Sequence, residues 1–262
     1  MRIEVKMRGL TDPMSHKQYK LLALDMDGTL LTEDKLISQE NKAAIREAED
    51  AGATVMFSTG RGIQNVLTYV EELQLKSPIV TVNGSEVWKA PGELLLRHRL
   101  DTGLLRRMHG LAVYYDTWFW AYSVGDVYNK ERWISEPEID GKEWLKFGFY
   151  TENEESLSAI RKELESWESL EITNSHPANL ELNPKGISKA SGLEQVCGLL
   201  GLTMAQVIAM GDSLNDVSMI RAAGLGVAMG NAQDEVKQLA DVVTVSNEEH
   251  GVARIIREYL LG

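Results

Sequence analysis

The stretch Leu21-Leu22-Ala23-Leu24-Asp25-Met26-Asp27-Gly28-Thr29-Leu30 decides the fold. Its leading apolar residues read as a strand buried on both faces, as in a parallel sheet covered by helices. The run then stops at two carboxylates, a glycine and a hydroxyl. Asp25 and Asp27 are thereby placed at the carboxyl edge of a sheet, where open α/β folds bind ligands. Two carboxylates that close repel each other unless something positive sits between them. A plain acidic turn also accounts for the stretch taken alone, because Asp and Gly favour turns for local reasons. The sharper reading is a hard cation held by oxygen ligands, beside a carboxylate free to attack a phosphoryl group.

Downstream, Ser38 is placed to N-cap a helix with Ala44, Ile45, Ala48 and Ala51 on one face, and Gly52 to end it. Residues 53–59 read as a second buried strand, closed by Gly60 and Arg61 before a helix carrying Ile63, Val66, Leu67 and Val70 at helical spacing. A third strand, 78–82, ends at Asn83-Gly84. This alternation predicts an α/β fold with a doubly wound, mostly parallel Rossmann-like core.

From Ser85 the rhythm changes. Residues 86–89 and 94–99 flank Pro91-Gly92 like a hairpin, and the aromatic run Trp118-Phe119-Trp120-Ala121-Tyr122 reads as a strand. A further strand at 146–151, a helix at 153–167, and paired segments at 170–173 and 180–182 complete an inserted α+β domain over 85–184. After Pro184-Lys185-Gly186 the α/β rhythm resumes, with helices at 187–200 and 214–223 and strands at 207–210, 225–228 and 242–245. The core is therefore expected to be discontinuous, 19–84 and 185–262, with the insertion carried on two linkers. Residues 1–18, polar and interrupted by Gly9 and Pro13, are expected to be a loose extension.

With 262 residues and 44% hydrophobic content, the chain can bury a large core. Its 39 acidic against 27 basic residues give a net charge of −12, a field that repels phosphate backbones and anionic lipids. Nucleic acid and membrane surfaces are thus poor partners. The single cysteine, Cys197, rules out an internal disulfide, and its apolar neighbours suggest a core residue. No apolar run approaches the roughly 18 residues of a membrane span. A reducing, cytoplasmic setting is expected, with no obligate protein partner.

Further residues converge on the edge that holds Asp25. Thr59, just past a strand end, can point its hydroxyl there together with the backbone N–H groups of the Gly60 turn. Taken singly, it is more simply a helix cap. Lys189, near the start of a helix, sits where a cation is electrostatically uncomfortable. The run Met210-Gly211-Asp212-Ser213-Leu214-Asn215-Asp216 brings another apolar strand to an acidic end. Three strand ends thus supply Asp25, Asp27, Thr59, Asp212 and Asp216, and a lysine completes the set. Chance capping explains such an assembly poorly.

These residues carry a resemblance. The chain from Lys20 onward resembles the haloacid dehalogenase-superfamily phosphatases of the Cof type, which carry a large α/β cap between their second and third motifs. Asp25-Met26-Asp27-Gly28-Thr29 matches the first motif, Thr59-Gly60-Arg61 the second, Lys189 the third, and Gly211-Asp212-Ser213-Leu214-Asn215-Asp216 the fourth. Lys189 is followed by Ala190 where the pattern has glycine. The resemblance implies that Asp25 attacks phosphorus to form an aspartyl-phosphate while Asp27 acts as acid and then base. It also implies Mg²⁺ bound by Asp25, Asp212 and the Asp27 backbone carbonyl. Thr59, Gly60, Lys189 and Asn215 would bind the phosphoryl group, with Asp216 orienting Lys189. The implied substrate is a small phosphorylated metabolite, a sugar phosphate first. A phosphosugar mutase on the same core is the alternative, distinguished by isomerised product. A non-catalytic phospholigand sensor fits poorly with a full set of acids. Trp118, Trp120, Tyr122 and Trp133 could stack on a ring, although aromatic runs in small sheets more often form the core.

Overall fold

A computed structural model of the protein describes residues 19–262; the expected N-terminal extension, 1–18, lies outside them. The chain opens with β1 (Leu21–Leu24), α1 (Gln39–Asp50), β2 (Thr54–Phe57), α2 (Leu67–Leu73), β3 (Ile79–Thr81) and a hairpin of β4 (Glu86–Ala90) and β5 (Glu93–Arg97). The insertion follows as α3 (Thr102–Tyr114), β6 (Trp118–Ser123), β7 (Asp126–Asn129), α4 (Glu136–Ile139), β8 (Trp144–Tyr150), α5 (Glu154–Glu165), β9 (Leu170–Thr173) and β10 (Asn179–Pro184). The chain closes with α6 (Lys189–Leu200), β11 (Val207–Gly211), α7 (Val217–Ala222), β12 (Leu225–Ala228), α8 (Asp234–Leu239), β13 (Val242–Val243) and α9 (Gly251–Tyr259).

The first sheet has the order β13-β12-β11-β1-β2, and every pairing in it is parallel. β1 is central and wholly buried, as its unbroken apolar run requires. Helices lie on both sides of this sheet and produce two apolar clusters. Leu22, Leu24 and Met210 face one of them, and Leu21, Ala23 and Ala209 face the other. Leu24 pairs with both Phe57 and Met210, so the residues that follow each strand leave the sheet at the same carboxyl edge. This register brings Asp25, Ser58-Thr59 and Gly211-Asp212 together.

A second sheet, β7-β6-β8-β10-β9, is antiparallel throughout. Its outer face and α3 and α5 enclose a separate core around Phe119, Phe147, Phe149, Leu164 and Leu180. The β4–β5 hairpin, which sequence groups with this insertion, pairs instead with β3 in a three-stranded sheet. The cause is local: Asn83 and Gly84 take φ of 55° and 97°, reversing the chain directly after β3.

Ser38 accepts a hydrogen bond from the Asn41 N–H and caps α1 as expected. After Arg61 the expected single helix is a short 3₁₀ turn, Ile63–Asn65, followed by α2. α3, α4, β7, α8 and α9 occupy stretches where the sequence reading places no element. Cys197 is free and buried. Among the described residues, no helix is long and apolar enough to cross a membrane.

Candidate active site

The carboxyl edge of the parallel sheet and the inner face of the antiparallel sheet enclose a cleft of about 320 Å³. Asp25, Asp27, Thr59, Gly60, Asp212 and Asn215 line it from below. Lys189 and Asp216, also singled out from sequence, lie beneath it with no exposure. Lys189 projects from the first turn of α6 and donates to Asp25 Oδ1 and Asp216 Oδ1, at 2.6 Å each. An ammonium has three donors, and these contacts use two of them. Burial works against the charge on Lys189, but Asp216 and Asp25 outweigh it and keep the group protonated.

Asp216 is held at both oxygens. Its Oδ1 takes Lys189, and its Oδ2 accepts from the N–H groups of Asp212 and Ser213, at 3.0 and 3.1 Å. It therefore braces both the lysine and the loop that carries Asp212. Asp212 accepts from Ser213 Oγ at 2.9 Å and, at 3.4 Å, from Thr29 Oγ1. The first loop approaches Asp212 so closely that a Cβ on Gly28, whose φ is +77°, would lie 2.5 Å from its carboxylate.

Carboxylate oxygens of Asp25, Asp212 and Asp216 lie within 4.8 Å of one another. One ammonium among three carboxylates leaves two negative charges without a partner. Burial and the nearby Asp216 push the Asp212 carboxyl up to about 7. Burial also raises Asp25 well above the usual range; Lys189 offsets part of this, and Asp216 and Asp212 reinforce it. Asp216 is fully buried and does not line the cleft, so Asp25 and Asp212 are the carboxylates that present oxygen to it. Two hard oxygen donors with a double negative excess fit a small divalent cation such as Mg²⁺.

Asp27 is in a different electrostatic setting. Arg61 grips it with two hydrogen bonds of 2.7 Å, from Nε and Nη2, and Lys35 Nζ donates at 2.8 Å. Burial raises its pKa, but the hydrogen bonds and charges of Arg61 and Lys35 outweigh burial and bring it down to about 2. Thr59 Oγ1 accepts from the Arg61 N–H at 3.2 Å and faces the cleft, whereas its neighbour Ser58 is fully buried and does not line it. Asn215 donates to Asn83 Oδ1 at 3.3 Å, and Asn83 donates in turn to Glu181 Oε2 at 2.6 Å.

That last contact crosses to the upper wall, where the sequence reading raised Trp120 and Tyr122 as possible ring stackers but not Lys146, Ser175 or Glu181. Trp120, Tyr122, Lys146, Ser175 and Glu181 all line the cleft. Lys146 and Glu181 are buried and paired at 3.2 Å. Their sequence signal was present: a lysine in Trp144-Leu145-Lys146-Phe147 and a glutamate in Leu180-Glu181-Leu182 are charges inside otherwise apolar strands.

A parallel sheet whose carboxyl edge gathers carboxylates around one buried lysine, under an inserted antiparallel sheet, defines an aspartate-centred phosphoryl-transfer fold. The chain belongs to the haloacid dehalogenase-like hydrolases, whose family model matches residues 22–256. It is 49% identical to a 5-amino-6-(5-phospho-D-ribitylamino)uracil phosphatase of Bacillus subtilis, over 92% of this chain and 96% of that one. A pyridoxal phosphate phosphatase of Escherichia coli is 27% identical over 92% of this chain and 99% of its own length. A solved haloacid dehalogenase-like hydrolase from B. subtilis superposes with a TM-score of 0.85 at 28% identity, covering 91% of this chain and 99% of that one. The protein is thus a phosphatase of the Cof type.

Proposed function

We propose that the chain is a Mg²⁺-dependent phosphatase of small phosphorylated metabolites that works through an aspartyl-phosphate on Asp25. The observation that carries this reading is the buried Lys189 bridging Asp25 and Asp216, with Asp212 completing the carboxylate cluster. Asp25 presents one oxygen to Lys189 and keeps the other for in-line attack on phosphorus. The remaining Lys189 proton, the Thr59 hydroxyl, the Gly60 N–H and Asn215 would hold the phosphoryl oxygens. Asp25, Asp212 and the Asp27 carbonyl would hold the metal, which when bound neutralises charge on nucleophile and phosphoryl oxygens.

Asp27 is the acid and base of the cycle. Its two clamping cations favour the anion, the form that takes a proton from water in the second step. To protonate a leaving oxygen in the first step, it must exchange Arg61 and Lys35 for the substrate. The cap in this reading is the antiparallel sheet with its helices, from Leu100 to Pro184, and it excludes bulk water and large substrates. The B. subtilis relative makes 5-amino-6-(5-phospho-D-ribitylamino)uracil the first substrate to try, ahead of simple sugar phosphates. A cytoplasmic setting suits the single free cysteine.

The test of the chemistry uses Asp27→Asn with para-nitrophenyl phosphate, whose leaving group needs little protonation. Attack by Asp25 persists, hydrolysis stalls, and intact mass after rapid quenching should show enzyme carrying one phosphoryl group. Fast steady turnover with no phosphorylated enzyme would remove Asp27 from this role. A panel of phosphorylated metabolites assayed with and without chelator tests substrate and metal.

A further inference from the structure

The antiparallel sheet turns one face to the cleft. Trp120 pairs with Gly148 across β6 and β8, Glu181 pairs with the same Gly148 across β10 and β8, and Tyr122 pairs with Lys146. The two-residue period therefore gathers these five residues on one face. The opposite face sends Phe119, Phe147, Phe149, Leu180 and Leu182 into the cap's own core. Of the four aromatic residues that sequence singles out, Trp133 joins that core, stacking at 5.8 Å on Trp144, and Trp118 is exposed. Trp120 and Tyr122 line the cleft.

Most of the polar capacity of this face is already used. Lys146 Nζ donates to the Gly60 carbonyl at 2.8 Å and to Glu181 Oε2 at 3.2 Å, and it stands 4.8 Å from the centre of the Tyr122 ring. Two of its three protons are taken, and its charge covers one face of the Tyr122 ring. Glu181 Oε2 also accepts from Asn83, whereas Oε1 accepts only from Ser175 Oγ, at 2.9 Å, and retains an acceptor site. Trp120 remains. It lies across Gly148, where a Cβ would come within 2.3 Å of the benzenoid edge of the indole. The missing side chain lets the ring rest on the strand backbone. Half-buried, it offers its remaining surface to the cleft.

We propose that Trp120, seated on Gly148, and Oε1 of Glu181 form a leaving-group subsite for a planar nitrogen heterocycle, stacked on the indole with an N–H directed at the carboxylate. The assignment rests on the phosphatase reading of the same cleft. A negatively charged acceptor beside an aromatic face rejects a second phosphate or a carboxylate and favours a ring N–H. Tyr122 and Lys146 hold the wall in place and do not touch the ring.

The test compares two phosphomonoesters that share a polyol and differ in the ring: 5-amino-6-(5-phospho-D-ribitylamino)uracil and D-ribitol 5-phosphate. In the wild type, the ring-bearing ester should have the higher kcat/KM. Trp120→Ala should raise its KM roughly tenfold to a hundredfold, the scale of losing one base-on-aromatic stack, while kcat and both constants for ribitol 5-phosphate stay within about threefold. Trp120→Phe should restore most of the loss. Gly148→Ala should reproduce it with Trp120 still present, which guards against a folding defect in the alanine variant. Equal losses on both esters, or no loss on the ring-bearing one, would overturn the subsite. So would a wild type that shows no preference for the ring, even though the phosphatase reading would survive that result. Failure to hydrolyse either ester or para-nitrophenyl phosphate would overturn both readings.

Discussion

The two walls of the cleft are made by different kinds of sheet, and in the proposed reading the difference separates reaction from selection. On the lower wall, the groups assigned to the reaction by this proposal sit on loops at the ends of parallel strands, braced from beneath by Lys189 and Asp216. Their positions follow from strand register, and each depends on the others. On the upper wall, groups sit on alternate residues of antiparallel strands, over a core to which the intervening strand residues and the cap helices contribute. Such a face can be altered at every second position without disturbing the packing behind it. Chemistry suits the first kind of wall and choice of substrate the second.

The sharpest break between the walls is at Asp25. Asp25→Asn should lower turnover of every phosphomonoester by roughly 10⁴-fold or more, because the amide has no anionic oxygen to attack with. Any substrate that escapes this loss would detach the nucleophile from the lower wall. Lys189→Met comes next, at about 10²–10³ in kcat, the scale for one stabiliser of developing charge. It also leaves buried carboxylates without their ammonium, so a stability loss of roughly 3–5 kcal/mol is expected in urea melts. Unchanged unfolding with lost activity would mean that the lysine serves the ligand alone.

Smaller effects test the electrostatics of the lower wall. If the two unpartnered charges await a cation, Mg²⁺ at a hundredfold its dissociation constant should stabilise the protein by about 2.7 kcal/mol. Asp212→Asn should raise the melting temperature of the metal-free protein and abolish that gain. A variant that still responds fully to Mg²⁺ would place the metal elsewhere. The weakest effect concerns Asp27, which keeps some solvent access. Its folded pKa lies below the unfolded value, so its contribution is present above about pH 4 and disappears as pH falls toward 2. Asp27→Asn should flatten that part of the stability profile, and acid melts of the two proteins would show it.

The lower wall was legible because its residues sit at abrupt ends of apolar runs: Leu24 to Asp25, Met210 to Asp212, Phe57 to Thr59. There, period and punctuation carry position. The clamp of Arg61 and Lys35 on Asp27 was not legible, since both reach it across loops whose paths depend on the whole fold. α3 escaped notice although Leu105, Met108 and Ala112 mark a buried stripe, because Gly103 and Gly110 weaken its helical signal. The hairpin at 86–97 was recognised, but hydrogen bonding to β3 is a choice of partner that local pattern does not encode. Lys146 and Glu181 were visible as oddities, yet their partners Gly60 and Asn83 belong to the other wall.

The central position of β1 has a consequence for how the molecule is made on the ribosome. The strand that bears Asp25 precedes the insertion, but one of its two neighbours, β11, follows only after the whole insertion and α6 have been translated. Lys189 lies 164 residues beyond its partner Asp25. The antiparallel sheet has nearer partners and can close while the open edge of β1 still waits. Asp25 thus receives its lysine and its neighbouring carboxylates only after the whole insertion has been translated, and the cluster cannot assemble before then.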